Sequence, residues 1–336
     1  MIKFPLLFLL AAIFFTACNF SSKNNLINIE GNAQGTTYHI SYFSEENINY
    51  KTAIDSLLKD IDTSMSTWLP VSIISAINNN DSSILVDQYF IDVFNKSMEV
   101  SERTDGLFDV TVGPLVNAWG FGFTKKANAD SSMIDSLLHF VGYKMLKLKG
   151  NKLIKAKPEI MLDFNAIAQG YSVDVLANYL ESKGINNYLA ELGGELKAKG
   201  KKQDEFWKVG IDQPEENTTE DRALKVIITL NNKALATSGN YRKFYEEGGQ
   251  KFSHIIDPRT GYPARQNLLS ATVIADDCIT ADAYATAFMV MGLERSKQFL
   301  NDNKDLSLEV CFIYDDNGSW KIYASETLKK WIRELN

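Results

Sequence analysis

Between Tyr188 and Ala275 the chain breaks into short apolar runs separated by turns, and this pattern constrains the fold more than any other feature. The runs at 188–192, 195–199, 207–211, 224–230, 252–256 and 269–275 have the length and composition of strands. Helical patterns gather upstream. Tyr50, Ala53, Ile54, Leu57, Leu58 and Ile61 form one apolar stripe at helical spacing. A second helix is expected over 86–103, with Tyr89, Phe90, Val93, Phe94 and Val100 inward, and a third over 131–141, ended by Gly142. The segment 106–123 between them is loop-rich and aromatic. Tyr38, Ile40 and Tyr42 alternate with polar neighbours and predict a half-buried strand over 36–43. Near the end, a helix over 280–291 precedes a hairpin whose arms, 309–314 and 320–323, flank Asp315-Asp316-Asn317-Gly318. With no internal repeat, low-complexity tract or interdomain linker, the pattern predicts one closely connected α+β unit.

The chain has 336 residues and is 45% hydrophobic, ample for a packed core. Its formal net charge of −7 gives no broad basic field, so neither a nucleic-acid backbone nor an anionic lipid surface is expected as main partner. An anionic ligand must then be held locally, by backbone amides, a metal ion or a few side chains. At the N-terminus Lys3 precedes an apolar run over 4–15 and then Phe15-Thr16-Ala17-Cys18. That run is short for a bilayer span, and small residues before a cysteine match the site where bacterial lipoproteins are cut and acylated. The expected organisation is a signal peptide over 1–17, a lipidated Cys18 with a tether over 18–29, and a folded domain over 30–336. Simple secretion and an uncleaved anchor are the other readings of the same run. The expected location is the bacterial cell envelope, outside the cytoplasm and lipid-anchored to the membrane. Cys278 and Cys311 remain, too few for a disulfide framework and without zinc-site spacing.

Chemistry-bearing residues fall into separate clusters. The segment 163–174 passes from an apolar strand end through small residues into a helix that Gly184 terminates near 183. A helix start exposes unpaired N–H groups, so it could seat a diphosphate, although a tightly packed helix start explains the same residues. It is neither a P-loop nor GxGxxG. Asp282 and Thr286, four apart, share one helical face and offer oxygen of the kind Mg²⁺ takes; an ordinary polar face is the alternative. His254 ends a strand before the turn Asp257-Pro258-Arg259-Thr260-Gly261 and could accept a proton, whereas His39 and His139 read as structural or surface residues. Trp68 could stack on a flavin or purine, or be a core tryptophan. Two further aromatic and glycine-rich segments run over 105–110 and 119–122.

Taken in order, the segments Gly35-Thr36-Thr37-Tyr38, 109–116, 163–174, Leu192-Gly193-Gly194, Thr237-Ser238-Gly239-Asn240, 254–261 and 281–292 resemble the ApbE-type FAD:protein FMN transferase family over nearly the whole mature chain. The resemblance implies an α+β, ApbE-like fold of two intimately connected lobes, with mainly antiparallel strands, packed helices and the active site between the lobes. It implies that the flavin lies against Trp68 and that backbone around Gln34, Leu107, Phe108, Asp109 and Ile256, with the side chains of Asp163 and Gln169, holds FAD. It also implies Mg²⁺ bound by the Ala166 carbonyl, Asp282 and Thr286, and His254 as the base. The expected reaction moves FMN from FAD to a threonine or serine hydroxyl of an extracytoplasmic flavoprotein subunit of a membrane redox complex. Two residues depart from the family's usual pattern: Gln34, where methionine is common, and Gln169, where lysine is common. A metal-dependent FAD pyrophosphatase and a flavin-binding lipoprotein without turnover are the competing readings.

Overall fold

A computed structural model describes residues 25–122, 130–212, 224–240, 244–247 and 250–334. In chain order the first half comprises β1 (Asn25–Ala33), β2 (Thr36–Ser44), α1 (Lys51–Met65), α2 (Ile73–Asn78), α3 (Gln88–Arg103), α4 (Gly113–Ala118), α5 (Ser131–Leu138), β3 (Leu146–Lys149), β4 (Lys152–Lys155) and α6 (Ala168–Ser182). The second half comprises β5 (Tyr188–Leu192), β6 (Glu195–Lys199), β7 (Lys201–Lys202), β8 (Glu205–Asp212), β9 (Leu224–Leu230), β10 (Lys233–Gly239), β11 (Phe244–Glu247), β12 (Gln250–Ser253), β13 (Leu268–Ala275), α7 (Cys278–Met291), α8 (Leu293–Asp302), β14 (Glu309–Asp316), β15 (Ser319–Ala324) and β16 (Ile332–Glu334).

An eight-stranded sheet in the order β1-β2-β5-β6-β10-β13-β14-β15 organises the molecule, and a four-stranded sheet in the order β16-β9-β8-β7 accompanies it. Every neighbouring pair in the large sheet is antiparallel. Because side chains alternate across a strand, each central strand serves two cores. Ala236, Val273, Val310 and Phe312 join the helix-side cluster, while Leu235, Ile274, Cys311 and Ile313 join Trp207, Val209, Ile228 and Leu230 of the small sheet. One face of the large sheet is thus covered by α6 and α7, with α1 against the β1–β2 end and α3 packed beyond α7, and the other by the small sheet.

Helix α7 is the most deeply placed element. Cys278 to Phe288 are buried except Thr286, and small residues at 281, 283, 285 and 287 let neighbours come close. Helix α6 approaches it most tightly at Gly170, where a Cβ would lie 2.5 Å from the Cys278 carbonyl oxygen and 2.7 Å from Asp282 Cβ.

Local chemistry explains where expectation and structure part. β1 begins at Asn25, ahead of residue 30, the expected domain boundary, and pairs along its length with β2 through a two-residue turn at Gln34 (φ 52°) and Gly35 (φ 74°). The expected strand at 252–256 ends at Ser253. Ile256 instead bridges to Pro263, because the turn from Asp257 to Gly261 reverses the chain, so His254 stands outside regular structure. The third helix stops at Leu138 rather than 141, and the loop-rich segment 106–123 contains α4, which begins at Gly113-Pro114. β10, central to the sheet, escaped the pattern because Ala-Leu-Ala-Thr-Ser-Gly lacks the aliphatic β-branched residues that announce a strand.

The contact at Gly170 yields the first prediction. Gly170→Ala should destabilise the protein by about 1–3 kcal/mol, because the added methyl meets backbone that cannot move aside. Urea unfolding of the purified variant measures this, and a midpoint equal to that of the parent would contradict the close approach.

Candidate active site

The approach to α6 is fixed from two sides. Asn78 bonds both the Leu162 carbonyl (2.9 Å) and the Leu162 amide (2.8 Å), and the Asp163 amide donates to the Val110 carbonyl at 2.8 Å. The Asp163 carboxylate accepts from the Asn165 amide at 2.8 Å, closing an Asx turn. Burial pushes its carboxyl up, against the lowering effect of that bond. Phe164 O then accepts from the amides of Ile167 and Ala168, which leaves Ala166 half-buried on the turn that opens α6.

Asp282 faces this helix start from α7. Its Oδ2 accepts from the Gly170 amide at 3.0 Å, and among the described residues it has no cationic partner. Burial without a counter-charge pushes the carboxyl up to about 7. Thr286 lies one turn further along the same helix, its Oγ1 3.1 Å from Ser238 Oγ on β10. Sequence spacing therefore gave the shared helical face correctly, and the structure brings Asp282 against the segment that carries Ala166 and Gln169.

Two β-turns close on the same helix end. Gln34 Nε2 donates to Ser172 Oγ on α6 at 2.8 Å, while its Oε1 is buried without a hydrogen-bond partner among the described residues. A hydrogen bond from Gln34 also lowers the carboxyl of Asp62 on α1, although burial pushes that group up overall. A Cβ on Gly193 would lie 3.0 Å from Thr36 Cγ2, 3.1 Å from Gln169 Nε2 and 3.3 Å from Glu195 Oε2, so the β5–β6 turn, β2 and the first turn of α6 meet there. A cleft of 510 Å³ opens along residues 32–37 at this hairpin.

Trp68 is 65% exposed on the loop between α1 and α2, which excludes the core alternative for it. Beside it the Thr67 hydroxyl oxygen, like Gln34 Oε1, is buried without a partner among the described residues. Leu107 and Phe108 bury their side chains, and their amides bond to Thr104. The Asp109 carboxylate is occupied internally: it accepts from the Thr111 amide (2.8 Å), the Thr111 hydroxyl (2.6 Å) and the Tyr143 amide (2.7 Å).

His254 is half-buried, with its ring edge-on to Phe121 at 6.3 Å. The segment after it is anchored where Trp119 Nε1 donates to the Gly261 carbonyl at 2.7 Å, and Ile256 packs with Leu115, Ala118 and Trp119. His39 and His139 are exposed, in keeping with the structural or surface reading of them. The first pairs with Glu191 at 2.8 Å, and the second bonds the Asp135 carbonyl at 2.9 Å. Cys18 lies outside the described residues. Sequence reasoning did not single out Ser238 as Thr286's partner, Asp62, or the pair formed by Asp174 and Lys197; only fold-level juxtaposition reveals them.

Over most of its length the chain is similar to known flavin transferases. The "ApbE family" model covers residues 34–312. The FAD:protein FMN transferase of Vibrio cholerae is 38% identical over 317 residues, spanning 91% of this chain and 92% of that protein. The corresponding protein of Haemophilus influenzae is 35% identical, spanning 95% and 94%. Among solved structures, the flavin transferase ApbE from Vibrio cholerae superposes with a TM-score of 0.82 at 36% identity, covering 92% of this chain and 99% of that one. The apo flavinyl transferase ApbE of Pseudomonas stutzeri gives 0.82 at 28% identity, covering 92% and 97%. The chain belongs to the ApbE family.

Asp282 also generates a pH prediction. Its carboxyl titrates near 7 when folded and near the ordinary 3.8 when unfolded. The folded state therefore holds the extra proton between those values, and stability falls as pH rises through that window. In chelator, Asp282→Asn should melt higher than the parent at pH 8 and by clearly less at pH 5. Thermal denaturation at the two pH values decides, and an equal difference at both would show that the carboxyl is not shifted.

Proposed function

We propose that this protein transfers the FMN half of FAD to a threonine or serine hydroxyl of an acceptor flavoprotein, releasing AMP, with Mg²⁺ at Asp282, Thr286 and the Ala166 carbonyl. The observation that carries the reading is Asp282, the single charged residue of a buried helix, turned toward the amide end of α6 without a cation. Among the described residues no three His, Cys, Asp or Glu side chains converge, so a metal here depends on hydroxyl and backbone oxygen, a donor set that suits a hard ion. When bound, Mg²⁺ supplies Lewis-acid neutralisation of the diphosphate.

The chain's own groups account for the rest. Trp68 offers a face to the isoalloxazine, and the orphaned Gln34 Oε1 and Thr67 Oγ1 offer acceptors to polar edges of the substrate. Gln169 donates a hydrogen bond at the helix start, and the amides there favour the negative charge of the diphosphate. His254 takes the proton of the acceptor hydroxyl as its oxygen bonds to the FMN phosphorus. The bond from that phosphorus to the bridging oxygen breaks, and the bridging oxygen leaves on AMP. Positioning and electrostatics do most of the work in such a transfer.

The sequence pattern at 15–18 supports a lipid anchor at Cys18 and an extracytoplasmic site of action, with flavoprotein subunits of membrane redox complexes as acceptors. Among the described residues no helix is long and apolar enough to cross a membrane.

Incubation with FAD, Mg²⁺ and a candidate acceptor, followed by mass spectrometry of the denatured acceptor, tests the reaction. A gain of one FMN is expected, whereas free FMN and unmodified acceptor would indicate a pyrophosphatase instead. His254→Ala should keep FAD binding and lose transfer by about 10²–10⁴-fold; undiminished in-gel flavin fluorescence on the acceptor would remove it from the mechanism. Trp68→Ala should leave the fold intact and weaken FAD binding by roughly 1–3 kcal/mol, the usual scale for loss of a stacking ring. Fluorescence titration of FAD reads this directly, and parental affinity would place the flavin elsewhere.

A further inference from the structure

Asp174 and Lys197 form a second polar contact behind Asp282, and neither belongs to the groups assigned above. Asp174 lies four residues after Gly170 on α6, and Ile279 lies three residues before Asp282 on α7, so each pair shares one helical face. The Gly170 amide donates to Asp282 Oδ2 at 3.0 Å, and the Ile279 amide donates to Asp174 Oδ2 at 2.9 Å. The helices are therefore joined by two reciprocal carboxylate–amide bonds about one turn apart. The other oxygen of Asp174 meets Lys197 Nζ, from β6, at 2.9 Å.

Charge placement explains why the lysine is there. A helix N-terminus is partially positive, so a cation beneath the start of α7 is unfavourable on its own account. Asp174 is 7% exposed and needs a counter-charge, which Lys197 provides from the sheet. The pair thereby pins three elements, α6, β6 and the first turn of α7, at one point.

We propose that Asp174 and Lys197 are positioning residues that set the register of α7 against α6 and hold Asp282 in the geometry Mg²⁺ requires. The proposal rests on the metal-assisted transfer described above. Mg²⁺ tolerates little departure from octahedral geometry, and Asp282 follows the pinned amide of Ile279 within a single helical turn. Removing the charge of Asp174, or the counter-ion that sustains it, weakens its hold on the amides of Ile279 and Cys278 at the start of α7, so metal affinity is the property that should suffer. Outer-shell partners of metal ligands characteristically change metal affinity by about 10–100-fold.

The test measures Mn²⁺ binding to the full-length protein by electron paramagnetic resonance, alongside the Mg²⁺ dependence of FMN transfer. Asp174→Asn keeps an acceptor for the Ile279 amide and loses the charge; Lys197→Met removes the counter-ion; Lys197→Arg restores it. The first two should weaken Mn²⁺ binding and raise the half-saturating Mg²⁺ concentration by about tenfold or more, with transfer at saturating Mg²⁺ changed little and Lys197→Arg near the parent. The double variant Asp174→Leu/Lys197→Met, which replaces the pair with apolar packing, should fold and still bind Mn²⁺ weakly. Parental Mn²⁺ affinity in Asp174→Asn or in the double variant would overturn the positioning role, as would transfer lost at saturating Mg²⁺ with Mn²⁺ affinity unchanged. Asp282→Ala serves as control: if it binds Mn²⁺ as the parent does, the metal assignment itself falls, whereas its loss beside an unaffected Asp174→Asn overturns only the positioning role.

Discussion

A single carboxylate on an otherwise uncharged, buried helix is the constraint around which the rest of the site is arranged. Burying a charge without a partner is costly, and a helix as enclosed as α7 would ordinarily exclude it. Asp282 is retained at a place where the backbone of α6 comes close enough to donate, and it comes that close because residue 170 has no side chain. One amide hydrogen bond does not neutralise a carboxylate, and the raised titration of Asp282 expresses that deficit. The site is therefore built with an electrostatic deficit that a divalent cation would fill.

The sheet determines which groups gather around that point. Since β5, β6, β10 and β13 present alternate residues to α6 and α7, the two helices lie across the same face, with the β1–β2 and β5–β6 turns beside the amide end of α6. Both turns depend on residues with positive φ, Gln34 and Gly35 in one and Gly193 and Gly194 in the other. Tight turns keep the backbone low, so Gln34 reaches Ser172 and Gln169 reaches the edge of Gly193. The segment bearing His254 is held separately, through Trp119 and the buried Ile256, so His254 and Asp282 belong to independently supported parts of the fold.

What the sequence disclosed follows from the range of each interaction. Helical spacing is local, so the shared face of Asp282 and Thr286, the stripe of α1 and the long helices were legible, as was the β14–β15 hairpin with its Asn-Gly turn. Several strands after 188 were also legible, because their runs are bounded by turns. β10 was not, because small residues suffice where both faces of a central strand are already covered. The Asp174–Lys197 contact joins residues of a helix and a strand that no periodicity relates. Exposure of Trp68 was equally out of reach, since a tryptophan's burial depends on what the remote chain leaves uncovered.

The departures at 34 and 169 make sense within this electrostatic scheme. A lysine at 169 would place a positive charge at the helix start, where the proposed substrate carries its diphosphate; the glutamine present there offers only a dipole. With a net charge of −7 the chain has no diffuse positive field to compensate. In the proposed reaction, neutralisation of the diphosphate would then fall on the α6 amides and on a cation at Asp282, both local contributions. Gln34 contributes differently. By bonding Ser172 through its amide nitrogen it fixes the hairpin to α6, and its carbonyl oxygen stays buried and unpaired among the described residues. A methionine could fill the same volume but could not make this bond, so in this chain the hairpin's position over the helix start is set by hydrogen bonding rather than by packing alone.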